Sequence, residues 1–132
     1  MTADEINAFY RQAFPSGLAR VDFADGKIAH VRLPYDRAQL RPGGTLSGPT
    51  MMGLADMAMY TLVLSAIGFM PLAVTTNLSI NFLRKPEPRD LIAEGRMLKL
   101  GKALAVGDVI IRSEGSEDVV AHAVVTYSIP PR

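Results

Sequence analysis

The stretch from Met51 to Met70 most restricts how this chain can fold, because its 20 residues are mostly apolar and include one charged side chain, Asp56. A stretch of this length can cross a bilayer as a helix. However, a carboxylate inside the span costs about 3 kcal/mol, and strand-like segments follow at once. We therefore predict a buried helix in a soluble domain, beginning near Gly48 and Pro49 and ending at about Gly68.

Shorter patterned segments flank this helix. Residues 3–13 are amphipathic and follow Thr2, a suitable N-cap, which predicts a short opening helix. Two extended runs come next, Leu18–Phe23 and Lys27–Leu33, and the Asp-Gly pair between them is typical of a hairpin. A loop over Pro34–Ser47 leads into the long helix. Four strands are predicted after the long helix: 73–84, 90–100, 103–113 and 118–129.

The first of these four strands has the clearest alternation of apolar and polar residues. Its odd-numbered polar positions include Thr75 and Asn77, so we predict that these two side chains share one face of the sheet. One apolar helix and six strands pack most simply when the sheet wraps around the helix. The predicted fold class is therefore α+β, with about six antiparallel strands around one long buried helix and a short N-terminal helix. By length, residues 1–132 form a single domain.

Charge and composition exclude several functions. The chain has 14 basic and 13 acidic residues and a net charge of +1, so neither nucleic acid nor an anionic membrane is an expected partner. The lack of cysteine excludes disulfides and cysteine nucleophiles and fits a cytoplasmic protein. The charged N-terminal segment does not have the pattern of a signal peptide. No metal motif includes His30 or His122, so we expect both to be structural and expect no metal or separate cofactor.

Asp56 is the only charged side chain between Pro42 and Leu83. An isolated carboxylate in apolar surroundings is costly unless it is paired or hydrogen-bonded. Two interpretations stay open. The helix dipole favours an acidic residue near a helix N-terminus, where it can simply accept a backbone hydrogen bond. The apolar surroundings and the glycine-rich loop before the helix favour a catalytic carboxylate instead.

The segment Arg41-Pro-Gly-Gly-Thr-Leu-Ser-Gly-Pro-Thr-Met-Met-Gly-Leu-Ala-Asp56 resembles the hotdog thioesterases of the phenylacetate-degradation (PaaI) type, relatives of the 4-hydroxybenzoyl-CoA thioesterases. Their motif reads Asn-x-x-Gly-x-x-His-Gly-Gly, with a catalytic Asp or Glu nine residues beyond the His. Gly44, Gly48 and Asp56 match this spacing. The resemblance covers about residues 18–129 and includes three further segments: Thr75–Pro86, Leu98–Val106 and Ala121–Tyr127.

The resemblance implies a hotdog fold, an acyl-CoA thioesterase and a homo-oligomer, either a dimer or a dimer of dimers (a homotetramer). Coenzyme A is then part of the substrate. Asp56 would be the general base or the nucleophile, and the N–H of Gly48 would receive the thioester carbonyl. Arg41 stands where the family has Asn, Ser47 where it has His, and Pro49 where it has the second Gly. Ser47 is therefore either a catalytic hydroxyl or a helix N-cap.

The same resemblance suggests further site residues. Thr75 matches a position where some relatives have a Ser or Thr that holds the attacking water. A threonine is also expected there simply because β-branched residues are common in strands. Asn77 is a second polar candidate. The phosphates of coenzyme A meet basic residues in this family, and Gly101 would allow close approach of a ligand. The basic candidates are Arg84, Lys85, Lys99 and Lys102, although solvated lysines and arginines are common.

Two other functions remain as alternatives. The missing His and Asn of the family loop favour a non-catalytic acyl-CoA or lipid-binding hotdog protein. A hydratase of the same fold requires a histidine beside the aspartate, which the sequence does not provide. The five methionines between 51 and 70 suit either an irregular core or an adaptable acyl pocket, and a core role is the simpler interpretation.

Overall fold

The computed structural model describes residues 1–36, 40–41 and 45–131, without the side chains of 40, 41 and 45. Strand order in the six-stranded antiparallel sheet is β1-β2-β6-β7-β8-β5. The predicted α+β class, the six strands and both helices are therefore confirmed. The elements are α1 (Ala3–Ala13), β1 (Arg20–Ala24), β2 (Ile28–Leu33), β3 (Leu40–Arg41), β4 (Thr45–Leu46), α2 (Gly48–Ile67), β5 (Val74–Phe82), β6 (Leu91–Leu100), β7 (Leu104–Ser113) and β8 (Val119–Ser128).

The predicted loop 34–47 contains two short strands that the sequence did not indicate. Leu40–Arg41 and Thr45–Leu46 pair antiparallel as a separate two-stranded sheet. Residues 37–39 and 42–44 lie outside the described part of the chain, and so does Gly44, which matches the family spacing. Two-residue strands carry too little alternation to be recognised in a segment rich in proline and glycine.

Local sequence signals fix the N-terminal third of the fold. Thr2 and Glu5 form a capping box: Thr2 Oγ1 accepts from the N–H of Glu5 at 3.2 Å, and Glu5 Oε1 accepts from the N–H of Thr2 at 2.8 Å. In the β1–β2 turn, Asp25 Oδ1 accepts from the N–H groups of Lys27 and Ile28. Gly26 adopts a φ of 84° there, which glycine tolerates without steric cost.

The long helix α2 packs against one face of the sheet, and two glycines allow its close approach. A Cβ on Gly107 would lie 2.7 Å from Met59 Sδ and 2.9 Å from the carbonyl oxygen of Arg96. A Cβ on Gly95 would lie 3.0 Å from Leu62 Cδ1. α2 has the length and hydropathy of a membrane span. Ten of its residues are buried within the fold, however, so it is the core helix of the domain.

A β-bulge in β5 corrects the predicted alternation. Thr75 pairs with Tyr127, but Asn77 pairs with Thr126, so one extra residue lies between them. Tyr127 is buried and faces α2, whereas Thr126 faces the outer surface. Thr75 therefore lies on the helix side of the sheet and Asn77 on the outer side. The prediction that they share a face was wrong, because the extra residue inverts the alternation before Asn77.

Arg32 on β2 connects three acidic side chains at one end of the sheet. Its guanidinium donates to Asp22 at 3.0 Å, to Asp90 at 3.0 Å and to Glu114 at 2.6 Å. Asp90 also accepts from the N–H of Tyr35 at 2.7 Å. This backbone hydrogen bond, together with Arg32, lowers the pKa of Asp90. The cluster therefore ties β1, β2 and the start of β6 to the turn after β7.

We expect Gly107→Ala to lower the free energy of unfolding by about 1–3 kcal/mol, because the added methyl group forces α2 away from the sheet. The matched control is Gly53→Ala on the exposed side of α2, where a Cβ would meet nothing within 4 Å. This control should gain about 1 kcal/mol from helix propensity. Urea denaturation measures both values. If Gly107→Ala were as stable as the wild type, the close approach of α2 would not matter to stability.

The Asp90 cluster should make stability depend on pH. Because the pKa of Asp90 is lowered in the folded protein, its contribution is fully present above the unfolded pKa of about 3.9 and is lost as the pH falls through the folded pKa. We expect Asp90→Asn to cost about 1–3 kcal/mol at pH 7 and much less at pH 3, measured by urea denaturation at each pH. Glu117→Gln, in the exposed β7–β8 turn, serves as the control. A cost for Asp90→Asn that is equal at the two pH values would contradict this role.

Candidate active site

The carboxylate of Asp56 is held by two hydroxyl groups from the sheet. Asp56 lies half-buried in the third turn of α2. Thr75 Oγ1 donates a hydrogen bond to Asp56 Oδ1. The hydroxyl of Tyr127 donates to the same oxygen at 3.0 Å and lies 3.3 Å from the main-chain carbonyl oxygen of Asp56. Both donors to the carboxylate from the described residues therefore reach Oδ1, and Oδ2 is the oxygen left for a ligand or water.

The two donors are adjacent because of strand register. Thr75, at the start of β5, is the direct cross-strand partner of Tyr127 on β8, and the β5 bulge turns Thr75 toward the helix. Burial raises the pKa of the Tyr127 hydroxyl, and the negative charge of Asp56 adds to this effect. The phenol therefore stays protonated at neutral pH and acts as a fixed donor to the carboxylate.

Tyr127 is a site residue that the sequence did not single out. One signal was available: in β8 it follows Ala123 and Val125 at alternate positions, so it faces the core, and a buried tyrosine hydroxyl usually finds a hydrogen-bond partner. Which partner it finds depends on the pairing of β8 with β5, and these strands are far apart in the sequence, since β5 ends at Phe82 and β8 begins at Val119. That long-range pairing is not readable from the alternation of one strand.

A cavity of about 410 Å³ opens at the carboxylate. Aromatic and apolar side chains form most of its wall. Tyr60 stacks against Tyr127 at a centroid distance of 5.8 Å and against Tyr10 at 6.1 Å. A single charged group in a mainly apolar wall suits a reaction at one polar bond of a mainly apolar ligand. The lining residues are Phe14, Asp56, Met57, Tyr60, Pro71, Ala73, Val74, Thr75 and Tyr127.

The N-terminus of α2 holds two other predicted site residues, Ser47 and Gly48. Ser47 is the N-cap: its Oγ accepts from the N–H of Thr50 at 3.2 Å and is 2.9 Å from Thr50 Oγ1. Gly48 lies against the ring of Phe82, which would be 3.2 Å from an added Cβ. Gly48 and Asp56 are eight residues apart on one helix, about 12 Å at 1.5 Å per residue. The structure therefore does not bring them to one carbonyl group within a single chain.

The predicted basic residues fall into two groups. Arg84 and Lys85 follow the end of β5, where Arg84 pairs with Asp118 at 3.3 Å. Lys99, Gly101 and Lys102 lie at the β6–β7 turn, where the N–H of Gly101 donates to the carbonyl oxygen of Leu104 at 2.8 Å.

The pairing of β5 and β7 with β8 gives the distance between these two groups of basic residues. Phe82 pairs with Ala121, whereas Leu104 pairs with Ser128. Seven residues of strand separate these points, which corresponds to about 20 Å. One chain therefore does not bring both groups together. The residues of the β6–β7 turn lie at the same end of the sheet as Thr75. The side chain of Arg41 lies outside the described part.

Both histidines face away from Asp56. His30 lies 3.6 Å from Glu94, and His122 lies 3.2 Å from Asp108, all on the outer face of the sheet. Burial by itself raises the pKa of Asp108, but the hydrogen bonds and positive charge of Arg96 and His122 together outweigh it, so the pKa is lowered. Within the described residues, no group of three or more histidine or acidic side chains is arranged to hold a metal ion.

Sequence and structure comparisons agree on one family. Residues 43–120, more than half of the chain, match the thioesterase superfamily (4HBT). The chain is 48% identical to a protein of known crystal structure from Silicibacter sp. TM1040 that is described as a candidate thioesterase. That match covers 98% of this chain and 92% of the other, with a TM-score of 0.90. Comparison with curated protein sequences finds no significant match.

Two more distant structures share the fold. A thioesterase of Haemophilus influenzae has a TM-score of 0.87 at 19% identity, over 99% of this chain and 92% of that one. Zebrafish thioesterase superfamily member 2 has a TM-score of 0.86 at 19% identity, over 98% and 99% of the two chains. At these identities the likeness concerns the fold, the arrangement known as the hotdog.

Proposed function

Because the chain belongs to the thioesterase superfamily and is thus a thioester hydrolase by class, we propose that it hydrolyses acyl-CoA thioesters at the Asp56 cavity. The observation that carries this proposal is the carboxylate of Asp56, held through Oδ1 by Thr75 and Tyr127 and facing an apolar cavity. The phenylacetate-degradation subclass and a cytoplasmic location remain predictions.

Asp56 has two possible roles in this reaction. As a general base, Oδ2 accepts a proton from a water molecule while the water oxygen attacks the thioester carbonyl carbon. The carbon–sulfur bond then breaks, and the proton passes to the departing sulfur, which gives CoA and a carboxylic acid. As a nucleophile, Oδ2 attacks the carbonyl carbon itself, CoA leaves, and water hydrolyses the resulting anhydride. In both cases Thr75 and Tyr127 orient the carboxylate.

The developing oxyanion needs a donor, and Gly48 of the same chain is too far from Asp56. The sheet suggests where that donor comes from. β5 forms an edge of the sheet, and seven of its nine residues, all except Leu78 and Ile80, are exposed. Two of these exposed residues are apolar: Val74 is 55% exposed and Phe82 is 47% exposed. An edge strand with exposed apolar side chains usually pairs with another chain. We therefore propose that β5 pairs with β5 of a second copy.

Two-fold symmetry makes such a pairing antiparallel, so the start of one β5 lies opposite the end of the other. The start of β5 carries Thr75 beside Asp56, and its end carries Phe82 over Gly48. The pairing therefore brings Gly48 of the partner subunit toward Asp56, with its N–H at a helix N-terminus that favours an oxyanion. Each active site then consists of residues from two chains.

The same pairing unites the two basic groups. The partner subunit's Arg84 and Lys85 approach the end of the sheet that holds Lys99 and Lys102. We propose that these side chains bind the phosphates of CoA, with Gly101 allowing close approach. Arg41 remains a proposed substrate-binding residue. Asn77, which faces the outer surface, is better suited to contacts between two dimers, which would give the homotetramer.

We expect the wild type to release thiol from at least one acyl-CoA, and Asp56→Asn to lower kcat by at least about 10²-fold. Tyr127→Phe, which keeps the ring and removes one donor, should lower kcat by about tenfold with little change in KM. Thiol release from a panel of short, medium, long and aromatic acyl-CoAs measures these values, and thermal unfolding checks the fold of each variant.

A labelling experiment distinguishes the two roles of Asp56: in single turnovers in ¹⁸O-water, label in Asp56 would identify it as the nucleophile. Binding of CoA esters without turnover in the wild type would favour the non-catalytic alternative.

We expect the protein to be a dimer or a tetramer at micromolar concentration, because the active site requires Gly48 of a second copy. Light scattering measures the mass. On dilution, the specific activity should fall in proportion to the fraction of dissociated chains. A monomer that retained full specific activity would contradict the two-chain site.

A further inference from the structure

A second cavity lies beside the Asp56 cavity and shares two side chains with it. Its volume is about 560 Å³, which is within the usual range for small-ligand sites. It lies between the end of α1, the segment 14–20 and the N-terminal half of α2. Phe14 and Met57 line both cavities. This second cavity is termed the α1–α2 groove.

The floor of the α1–α2 groove is one stripe of α2 that runs away from the catalytic carboxylate. It extends from Met57, next to Asp56, through Gly53 to Pro49. These positions recur at four-residue intervals and so lie on one face of the helix. The stripe is about 12 Å long at 1.5 Å per residue. An extended carbon chain advances about 1.2 Å per bond, so about ten carbon atoms fit along it.

The walls of the α1–α2 groove are largely apolar and partly uncovered. Phe14 is 42% exposed and Leu18 is 39% exposed, although both are large hydrophobic side chains. Leu33 and Leu54 add further apolar surface. The two arginines of the groove, Arg11 and Arg20, are exposed, and Arg20 pairs with Asp22 at 3.6 Å.

We propose that the α1–α2 groove binds the acyl chain of a medium-chain acyl-CoA, with the thioester at Asp56 and the chain running along α2 toward Pro49. This inference rests on the proposed thioesterase function and specifies its substrate. The position of the groove directly beside the Asp56 cavity, with Phe14 and Met57 lining both, supports an acyl chain as the occupant. Each buried methylene should strengthen binding about fourfold.

Gly53 is the residue that leaves the α1–α2 groove open at its middle. It is exposed, and an added Cβ would meet no atom within 4 Å. A larger side chain can therefore enter the groove without disturbing the fold, and it also improves helix propensity. Gly53 accordingly determines how long an acyl chain the site accepts.

The test compares decanoyl-CoA with acetyl-CoA in Gly53→Leu. The four side-chain carbons of leucine should displace about four methylenes, so the ratio of kcat/KM for decanoyl-CoA to that for acetyl-CoA should fall about 10²-fold. Gly53→Ala adds one methyl group and should change the ratio by a factor of about four or less. Met52→Leu is the control on the same helix, because Met52 is exposed and lines neither cavity. Its ratio should match that of the wild type.

Binding separates this inference from the proposed function. In an Asp56→Asn background, calorimetry gives the Kd of decanoyl-CoA and of acetyl-CoA with and without Gly53→Leu, whether or not the wild type turns over. Loss of the preference for decanoyl-CoA in Gly53→Leu supports the groove even if no acyl-CoA is hydrolysed. An unchanged preference overturns it even if hydrolysis is confirmed. An equal loss of affinity for both esters overturns it in favour of the CoA part of the substrate as the occupant. A changed oligomeric mass overturns it in favour of a second copy of the chain.

Discussion

The close packing of α2 against the sheet is the constraint on which the rest of this structure depends. Gly95 and Gly107 present no side chain toward the helix, so Met59 and Leu62 lie directly against the β6 and β7 backbone. This contact fixes the rotation of α2 about its axis. Because of this rotation, the Asp56 side chain contacts Thr75 and Tyr127, and the face of α2 that carries Gly53 lines the groove. Mid-strand glycines usually weaken a strand, and here the close approach of the helix offsets that cost.

The helix also separates two requirements of catalysis. A carboxylate in an apolar wall needs donors, and the sheet supplies them through two hydroxyl groups on Oδ1. An oxyanion needs N–H donors, and in the proposed mechanism these come from the other end of the helix, near Gly48. A single straight helix holds these two ends about 12 Å apart. This separation is the reason for proposing a second chain as the source of the N–H donor, with the exposed edge of β5 as the surface on which it pairs.

Sequence patterns predicted most of the helices and strands, and they selected some of the residues that the structure brings together around Asp56. The strand after the long helix was expected at 73–84 and occupies Val74–Phe82, because alternation and turn residues are local signals. The β5 bulge was missed because consecutive threonines mark no irregularity. Tyr127 was missed because its partner depends on pairing between distant strands. The basic residues were grouped by chemistry alone, although residues at the two ends of a strand cannot meet in one chain. Asp56 could be singled out as a candidate because an isolated charge in an apolar run is visible without a structure, and its catalytic role stays a prediction.

Strand order also determines when the sheet can be completed during synthesis. Among the strands that the structure describes, β5 hydrogen-bonds within its own chain only to β8, and β5 ends at Phe82 whereas β8 begins at Val119. A ribosome makes about 5–20 residues per second, so β5 waits a few seconds without its partner strand while β6 and β7 emerge. During that interval both edges of β5 are unpaired, and its exposed apolar residues are open to contacts with other nascent chains. Chaperone dependence and aggregation of this domain should therefore arise first at β5.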